Sequence, residues 1–239
     1  MTSKRSNKKF FLGIAVSVLV PLSFYFIARA LKKDHINLPG YYMAEKVGTT
    51  KEDGVVSYDT VYHQTSNLSL TNQFGDVVSL NDDLKGKVLV VNFFFTNCPV
   101  VCPKLTSNMK MLENAFRKDP KKERQMRNDV QLISITVNPS RDSFPALRAY
   151  ADRFNVNHDY WWFLTGDKKK ICDFARHELG VSAQPDEGGA DDFIHSEKII
   201  VIDQDRFIRG YYDGLDSASI GRCAYDISLL TMEKKRRKK

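Results

Sequence analysis

Residues 87–95 read KVLVVNFFF. A run this apolar has no polar face to give to water, and its β-branched and aromatic residues favour extended backbone. It therefore predicts a strand covered on both sides, as in a largely parallel sheet sandwiched between helices. Val130–Val137 (VQLISITV) has the same character. Shorter strands are expected around Val61–Leu70 and Val77–Leu80, with a turn at Asn72–Asp76, and again at Tyr160–Leu164. Lys198–Ile202 and Phe207–Tyr212 form a hairpin pattern joined by Asp203–Arg206. Helical spacing marks Thr106–Phe116, Ser143–Phe154, Lys168–Leu179 (closed by Gly180) and Ser217–Met232. Strand–helix alternation followed by a late hairpin predicts an α/β, thioredoxin-like fold: a central mixed β-sheet flanked by helices.

The strand at 87–95 leads into TNCPVVCP, with Cys98 and Cys102 separated by three residues and each followed by proline. Proline is comfortable at the first position of a helix and costly inside one, about 3 kcal/mol. That places the helix start at Pro103, with Cys102 as the N-cap and Cys98 on a loop above it. Two thiols so placed can form a disulfide, exchange disulfides with another protein, or hold a soft metal such as Cu(I). A closed loop this short gains little stability from a disulfide. A peroxidase reading of the Cys98 loop gives no role to the second cysteine or its proline. As metal ligands the pair needs a further donor. Of five histidines, His35, His63, His158 and His177 read as surface or hydrogen-bonded side chains, whereas His195 immediately precedes the strand at 198–202 that should face the cysteine loop. Cys172 and Cys223 sit among apolar residues and read as core.

Phe10–Ala28 is a run of nineteen uncharged residues. A membrane-spanning helix needs roughly 20 apolar residues and a signal-peptide core about 7–15. Length favours a retained transmembrane anchor, although Ala28-Arg29-Ala30 fits a cleavage site. The net charge of +7 is concentrated at the ends: residues 1–33 carry seven Lys/Arg and no acid, and residues 233–239 carry six Lys/Arg against one Glu. What lies between is net acidic, which argues against nucleic-acid binding. The basic C-terminal run is either a patch for anionic lipid or a partner, or a solvated end. The expected organisation is a basic tail at 1–9, an anchor at 10–31, a linker at 32–55, the thioredoxin-like domain at 56–232 and a basic tail at 233–239.

Three blocks, LKGKVLVVNFFFTNCPVVCP, ISITVNPSRDSFPALRAYADRF and DDFIHSEKIIVIDQDRFIRGYYDG, together resemble the Sco/SenC copper-handling proteins. The resemblance implies copper, as Cu(I) or Cu(II), bound by Cys98, Cys102 and His195. It further implies a single-pass protein of the cell (inner) membrane with its domain on the extracytoplasmic, periplasmic side. The expected role is a copper chaperone, with a copper acceptor such as a cytochrome c oxidase subunit as partner. A thiol–disulfide oxidoreductase using Cys98 and Cys102 as a redox pair is the alternative. The sequence departs from the family pattern at Val100, Val101, Asn138 and Ile194, where Asp is usual.

Overall fold

The computed structural model describes residues 8–31, 38–52, 55–116, 129–181 and 197–237. The chain divides into two compact units, residues 1–37 and 38–239. The first contains α1 (Lys8–Leu31), 24 residues that continue as helix through Pro21. Leu19, Leu22, Phe24 and Ile27 of α1 are exposed. Among the described residues no helix is long and apolar enough to cross a membrane; the consecutive side chains described in α1 are those of 16–27.

The second unit is built on a seven-stranded sheet. Its strands are β3 (Ser69–Asn72), β4 (Val77–Ser79), β5 (Val88–Phe94), β6 (Val130–Thr136), β7 (Trp161–Thr165), β8 (Lys198–Ile202) and β9 (Ile208–Asp213), in the spatial order β4-β3-β7-β6-β5-β8-β9. The run expected to be covered on both faces is the central strand β5, every residue of which is buried. β5 pairs in parallel with β6 and antiparallel with β8, and β6 pairs in parallel with β7. Leu89, Val91 and Phe93 face one layer, formed by α4 (Lys168–Asp173) and the π-helical turn Phe174–Glu178. Val88, Val90 and Phe94 face the other, formed by α2 (Val101–Phe116), α3 (Phe144–Arg153) and α5 (Ser217–Arg237). Cys172 and Cys223 are core residues of these two layers.

Several elements differ from the sequence expectation. Residues 44–52, within the expected linker, form β1 (Ala44–Glu52), paired antiparallel with β2 (Val55–Tyr62). This hairpin lies outside the seven-stranded sheet. β1 (AEKVGTTKE) mixes charged, hydroxyl and small residues with no alternating apolar face, a loop-like composition, while the ladder itself is made by the backbone. The strand expected at Val61–Leu70 is interrupted: β2 ends at Tyr62 and β3 starts at Ser69. Between them Thr65 N–H donates to Arg206 C=O at 2.9 Å, and Ser66 N–H to the Glu178 carboxyl at 2.7 Å. Ser143 occupies the N-cap of α3, yet its side chain makes no capping bond.

Two glycines fix the end of the sheet that carries the cysteines. Gly180 (φ +60°) closes the π-helical turn in the left-handed region. Gly214 lies where the β9–α5 turn crosses α2: a Cβ there would meet Leu105 Cδ1 at 2.1 Å and Glu197 O at 2.6 Å. Gly214 N–H donates to Glu197 C=O at 2.8 Å, and Asn108 Nδ2 of α2 donates to Gly214 C=O at 2.7 Å. The start of β8 is thereby fastened to the helix that begins with the cysteine loop.

Candidate metal centre

Helix α2 begins at Val101, two residues earlier than the position of Pro103 suggested. The reason is that N–H groups throughout the first helical turn lack intrahelical acceptors, so proline's missing donor costs nothing at the third position either. Cys102 is consequently a first-turn residue rather than the N-cap. Cys98 stays on the loop above it, as expected. Its N–H reaches back to Phe95 C=O at 3.4 Å, and its Sγ accepts from the Cys102 N–H at 3.3 Å. Both cysteines are free thiols.

The two sulfurs occupy different environments. Partial burial alone would push the Cys98 thiol up. The N–H and the thiol of Cys102, with the N–H groups of Val100 and Val101, outweigh it and hold Cys98 below the ordinary thiol range. This is the favoured end of a helix dipole for an anion. Cys102, 5 % exposed, is pushed up to about 12 by burial, with Cys98 and the charge of Asp142 adding to the effect. Nearby, burial likewise pushes Tyr150 up to about 12; its hydroxyl pairs with Thr106 Oγ1 at 2.9 Å. Val100, one of the two residues that replace the usual Asp, is 72 % exposed and contributes its amide rather than its side chain to the sulfur.

The cysteine loop is tied down by Asp142, whose carboxyl is fully buried. Its Oδ2 accepts from Thr96 N–H at 3.0 Å and from Thr136 Oγ1 at 2.5 Å, and its Oδ1 accepts from Thr96 Oγ1 at 2.5 Å. Thr96 lies two residues before Cys98, so Asp142 links the end of β5 to the end of β6 directly under the loop. Sequence reasoning did not assign this role. The Arg141-Asp142 pair within the block ISITVNPSRDSFPALRAYADRF was the available signal.

Both cysteines open onto a cleft of about 500 Å³ lined by Phe93, Phe95, Leu105, Tyr211, Val181 and Glu197, among others. Because β8 runs antiparallel to β5, the start of β8 lies at the same end of the sheet as the cysteine loop. Val181 and Glu197, the described residues on either side of 182–196, both line this cleft. His195, Ile194, Asp191 and Asp192 lie outside the described residues. Among the described residues no group of three or more His, Cys, Asp or Glu is placed to hold a metal.

His63 and His158 are each satisfied by hydrogen bonds. His158 meets Asp152 at 2.8 Å and Gln73 at 3.0 Å. His63 bridges Glu45 of β1 (2.7 Å) and Glu178 of the π-helical turn (2.9 Å). Burial opposes the charged imidazolium, but the two carboxylates outweigh it and raise His63 above its ordinary 6.5. A raised pKa makes this clasp's contribution to stability complete below the unfolded value and lost as pH rises through the folded value. An NMR titration of the His63 ring should give a midpoint above 6.5 in the wild type, moving down in Glu178→Gln. A midpoint unmoved by that substitution would refute the bridge.

A mixed, helix-flanked sheet with an unequal dithiol at the first turn after its central strand defines a thioredoxin-like protein with a solvent-reachable Cys98. The SCO1/SenC family model matches residues 58–227, and the chain belongs to that family. It is 31% identical over 160 residues to the SCO1 protein homolog of Bacillus subtilis, covering 66% of this chain and 78% of the relative. It is also 31% identical over 143 residues to the human mitochondrial SCO2 homolog, where it spans 49% of that protein and 57% of its own length. Among solved structures, a SCO1/SenC family lipoprotein from Bacillus anthracis superposes with a TM-score of 0.60 at 30% identity, covering 71% of this chain and 95% of the other. Copper-bound ScoI of Bradyrhizobium japonicum superposes with a TM-score of 0.54 at 25% identity, covering 70% and 99%.

Proposed function

We propose that this chain is a membrane-anchored, extracytoplasmic copper chaperone, with copper as its cargo and the copper centre of cytochrome c oxidase as the destination. The observation that carries the reading is the pair of free thiols converging at the start of α2, on an open cleft, in a chain of the SCO1/SenC family. The bound copper of the Bradyrhizobium relative supports copper as the cargo, and the description of the similar protein BsSco as a member of the Sco family of cytochrome c oxidase assembly proteins supports the destination. Cys98 and Cys102 are the two soft donors. His195 is the third: Glu197, two residues later, lines the same cleft, and two residues of chain reach at most about 7 Å. Metal binding requires deprotonated sulfur, so the N–H groups that favour the Cys98 thiolate also favour loading. The anchor rests on the uncharged run Phe10–Ala28 within a helix of 24 residues, about 36 Å long.

The test is a Cu(I) titration of the reduced protein with spectroscopy of the ligands. The wild type is expected to bind one equivalent with sulfur and imidazole signatures, and His195→Ala to bind more weakly with the imidazole signature gone. Unchanged affinity and spectra in His195→Ala would remove His195 from the site.

The inequality of the thiols favours a second use of the same pair. In a thiol–disulfide exchange, the Cys98 thiolate attacks an acceptor disulfide and releases one acceptor thiolate. Cys102, once deprotonated, then displaces the second, leaving a Cys98–Cys102 disulfide and a reduced acceptor. A mixed disulfide trapped through Cys98 in Cys102→Ser would support this use.

A further inference from the structure

His63 directly follows β2, and its ring sits between carboxylates from two different parts of the fold. Nδ1 meets Glu45 at 2.7 Å and Nε2 meets Glu178 at 2.9 Å. A neutral imidazole carries one N–H and one bare nitrogen. It can donate to only one of these carboxylates, and its lone pair then faces the other. The imidazolium donates from both nitrogens, so the geometry is that of the charged ring. Among the described residues, Glu45 and Glu178 are the charged groups that act on it.

The backbone of the hairpin is irregular where it meets this clasp. The ladder pairs Ala44 with Tyr62 and Lys46 with Val61, which leaves Glu45 as the extra residue of a bulge. A bulge re-aims a side chain, and that of Glu45 meets the His63 ring. Two residues earlier, Met43 takes a left-handed conformation (φ +58°), unfavourable for a residue with a long side chain. Its C=O accepts from His63 N–H at 2.8 Å. Its side chain packs on the core layer of α4 and lies against Gly180, with Sδ 3.3 Å from where a Cβ on Gly180 would stand. Gly180 lines the thiol cleft. Irregular backbone of this kind persists where neighbouring contacts enforce it, and His63 supplies one contact to each of the two residues.

The two carboxylates are not held equally. The Glu178 oxygen that meets the ring also accepts from Ser66 N–H at 2.7 Å, and its side chain is 21 % exposed. The Glu45 side chain is 51 % exposed, so water can take the place of the ring. Once the ring is neutral its remaining proton stays toward Glu178, and Glu45 is the group that leaves.

We infer that Glu45, His63 and Glu178 form a pH-sensitive latch: the imidazolium holds the start of β1 and Met43 against the wall of the thiol cleft, and loss of its proton releases Glu45 and loosens that side of the wall. The carboxylates raise the ring above its ordinary 6.5, so the latch is closed below 6.5 and opens as pH rises through the higher, folded value. Tyr41 stacks on Tyr62 at 5.1 Å, and Thr65 N–H donates to Arg206 C=O at 2.9 Å. Neither contact depends on the proton, so the hairpin stays attached and the release is local.

Amide exchange followed by NMR in the full-length chain tests the latch at His63 N–H, the bond that fastens Met43. The protection factor divides out the pH dependence of the exchange chemistry. It is expected to fall about three- to tenfold as pH rises through the midpoint of the ring, the range for a charge-assisted bond to a half-exposed group. The Met43 methyl signal, assigned by its loss in Met43→Leu, should shift with the same midpoint. In Glu45→Gln both readouts should stay level, because a side-chain amide can accept from a ring N–H or donate to the bare nitrogen. A wild-type protection factor that stays level through the midpoint, or one that falls equally in Glu45→Gln, overturns the latch. A Met43 methyl that does not follow the ring overturns its link to the cleft wall.

Discussion

Iodoacetamide is expected to modify Cys98 on the order of a hundred times faster than Cys102 at pH 7 in the reduced, metal-free protein, since the greater nucleophilicity of a high-pKa thiolate offsets part of the difference in thiolate fraction. Only the thiolate reacts. With Cys102 pushed up to about 12, its thiolate fraction at neutral pH is about 10⁻⁵, against a few per cent for an ordinary free thiol. Cys98 starts from a lowered value and is more accessible, so both factors act in the same direction. The Cys98 rate should rise with pH and level off below the ordinary thiol range, because ionisation is then complete. Timed quenching and peptide mass spectrometry measure both rates in one sample. Denaturant should bring them to within a few-fold, since it removes both the burial of Cys102 and the amides around Cys98. Equal rates in the folded protein would mean that burial does not hold the Cys102 thiol up and that the groups around Cys98 do not favour its thiolate.

Asp142→Ala should be among the most destabilising substitutions in the domain, because it strips partners from three donors at once. Thr96 N–H, Thr96 Oγ1 and Thr136 Oγ1 all donate to this carboxyl. An unsatisfied buried polar group costs about 1–3 kcal/mol. A loss of about 3 kcal/mol or more follows, lowering the melting temperature by roughly 6–12 °C in a domain of this size. Asp142→Asn keeps the shape and an acceptor oxygen, so calorimetry should place it between Ala and the wild type. The substitution also reaches the site. With Thr96 released, the loop carrying Cys98 loses its fixed height over α2, and the contrast in alkylation between the two cysteines should shrink in step with the loss of stability. Wild-type stability in Asp142→Ala would remove Asp142 as the tie between β5 and β6.

The parts of the fold that could be read from sequence are those in which one physical demand dominates. β5 and β6 are buried on both faces, and nothing but an extended, sheltered backbone suits VLVVNFF or VQLISIT. The β1–β2 hairpin was missed because β1 is largely polar and its order comes from the backbone ladder with β2. Asp53-Gly54 between the two strands is a strong hairpin signal that composition obscured. The cysteine loop was half legible. Cys98 on a loop followed from the spacing, but the helix start was misplaced because Pro103 was held to the first helical position, when the whole first turn tolerates it. Asp142 could not be reached by local reasoning, since its partners lie 46 and six residues away and meet only when β5 and β6 pair. The sequence pattern singles out His195, which lies outside the described residues.

The placement of β5 has a consequence for how the molecule comes apart. Protein structures open in pieces, with peripheral segments fraying at little free-energy cost while central strands separate only in global unfolding. The β1–β2 hairpin stands outside the main sheet, whereas the cysteine loop extends from the interior strand β5, which is flanked by β6 and β8, and the loop is tied toward the end of β6 through Asp142. The thiol pair thus belongs to the last region to lose its shape. Fraying at the ends of this domain is therefore expected to leave the two sulfurs in place.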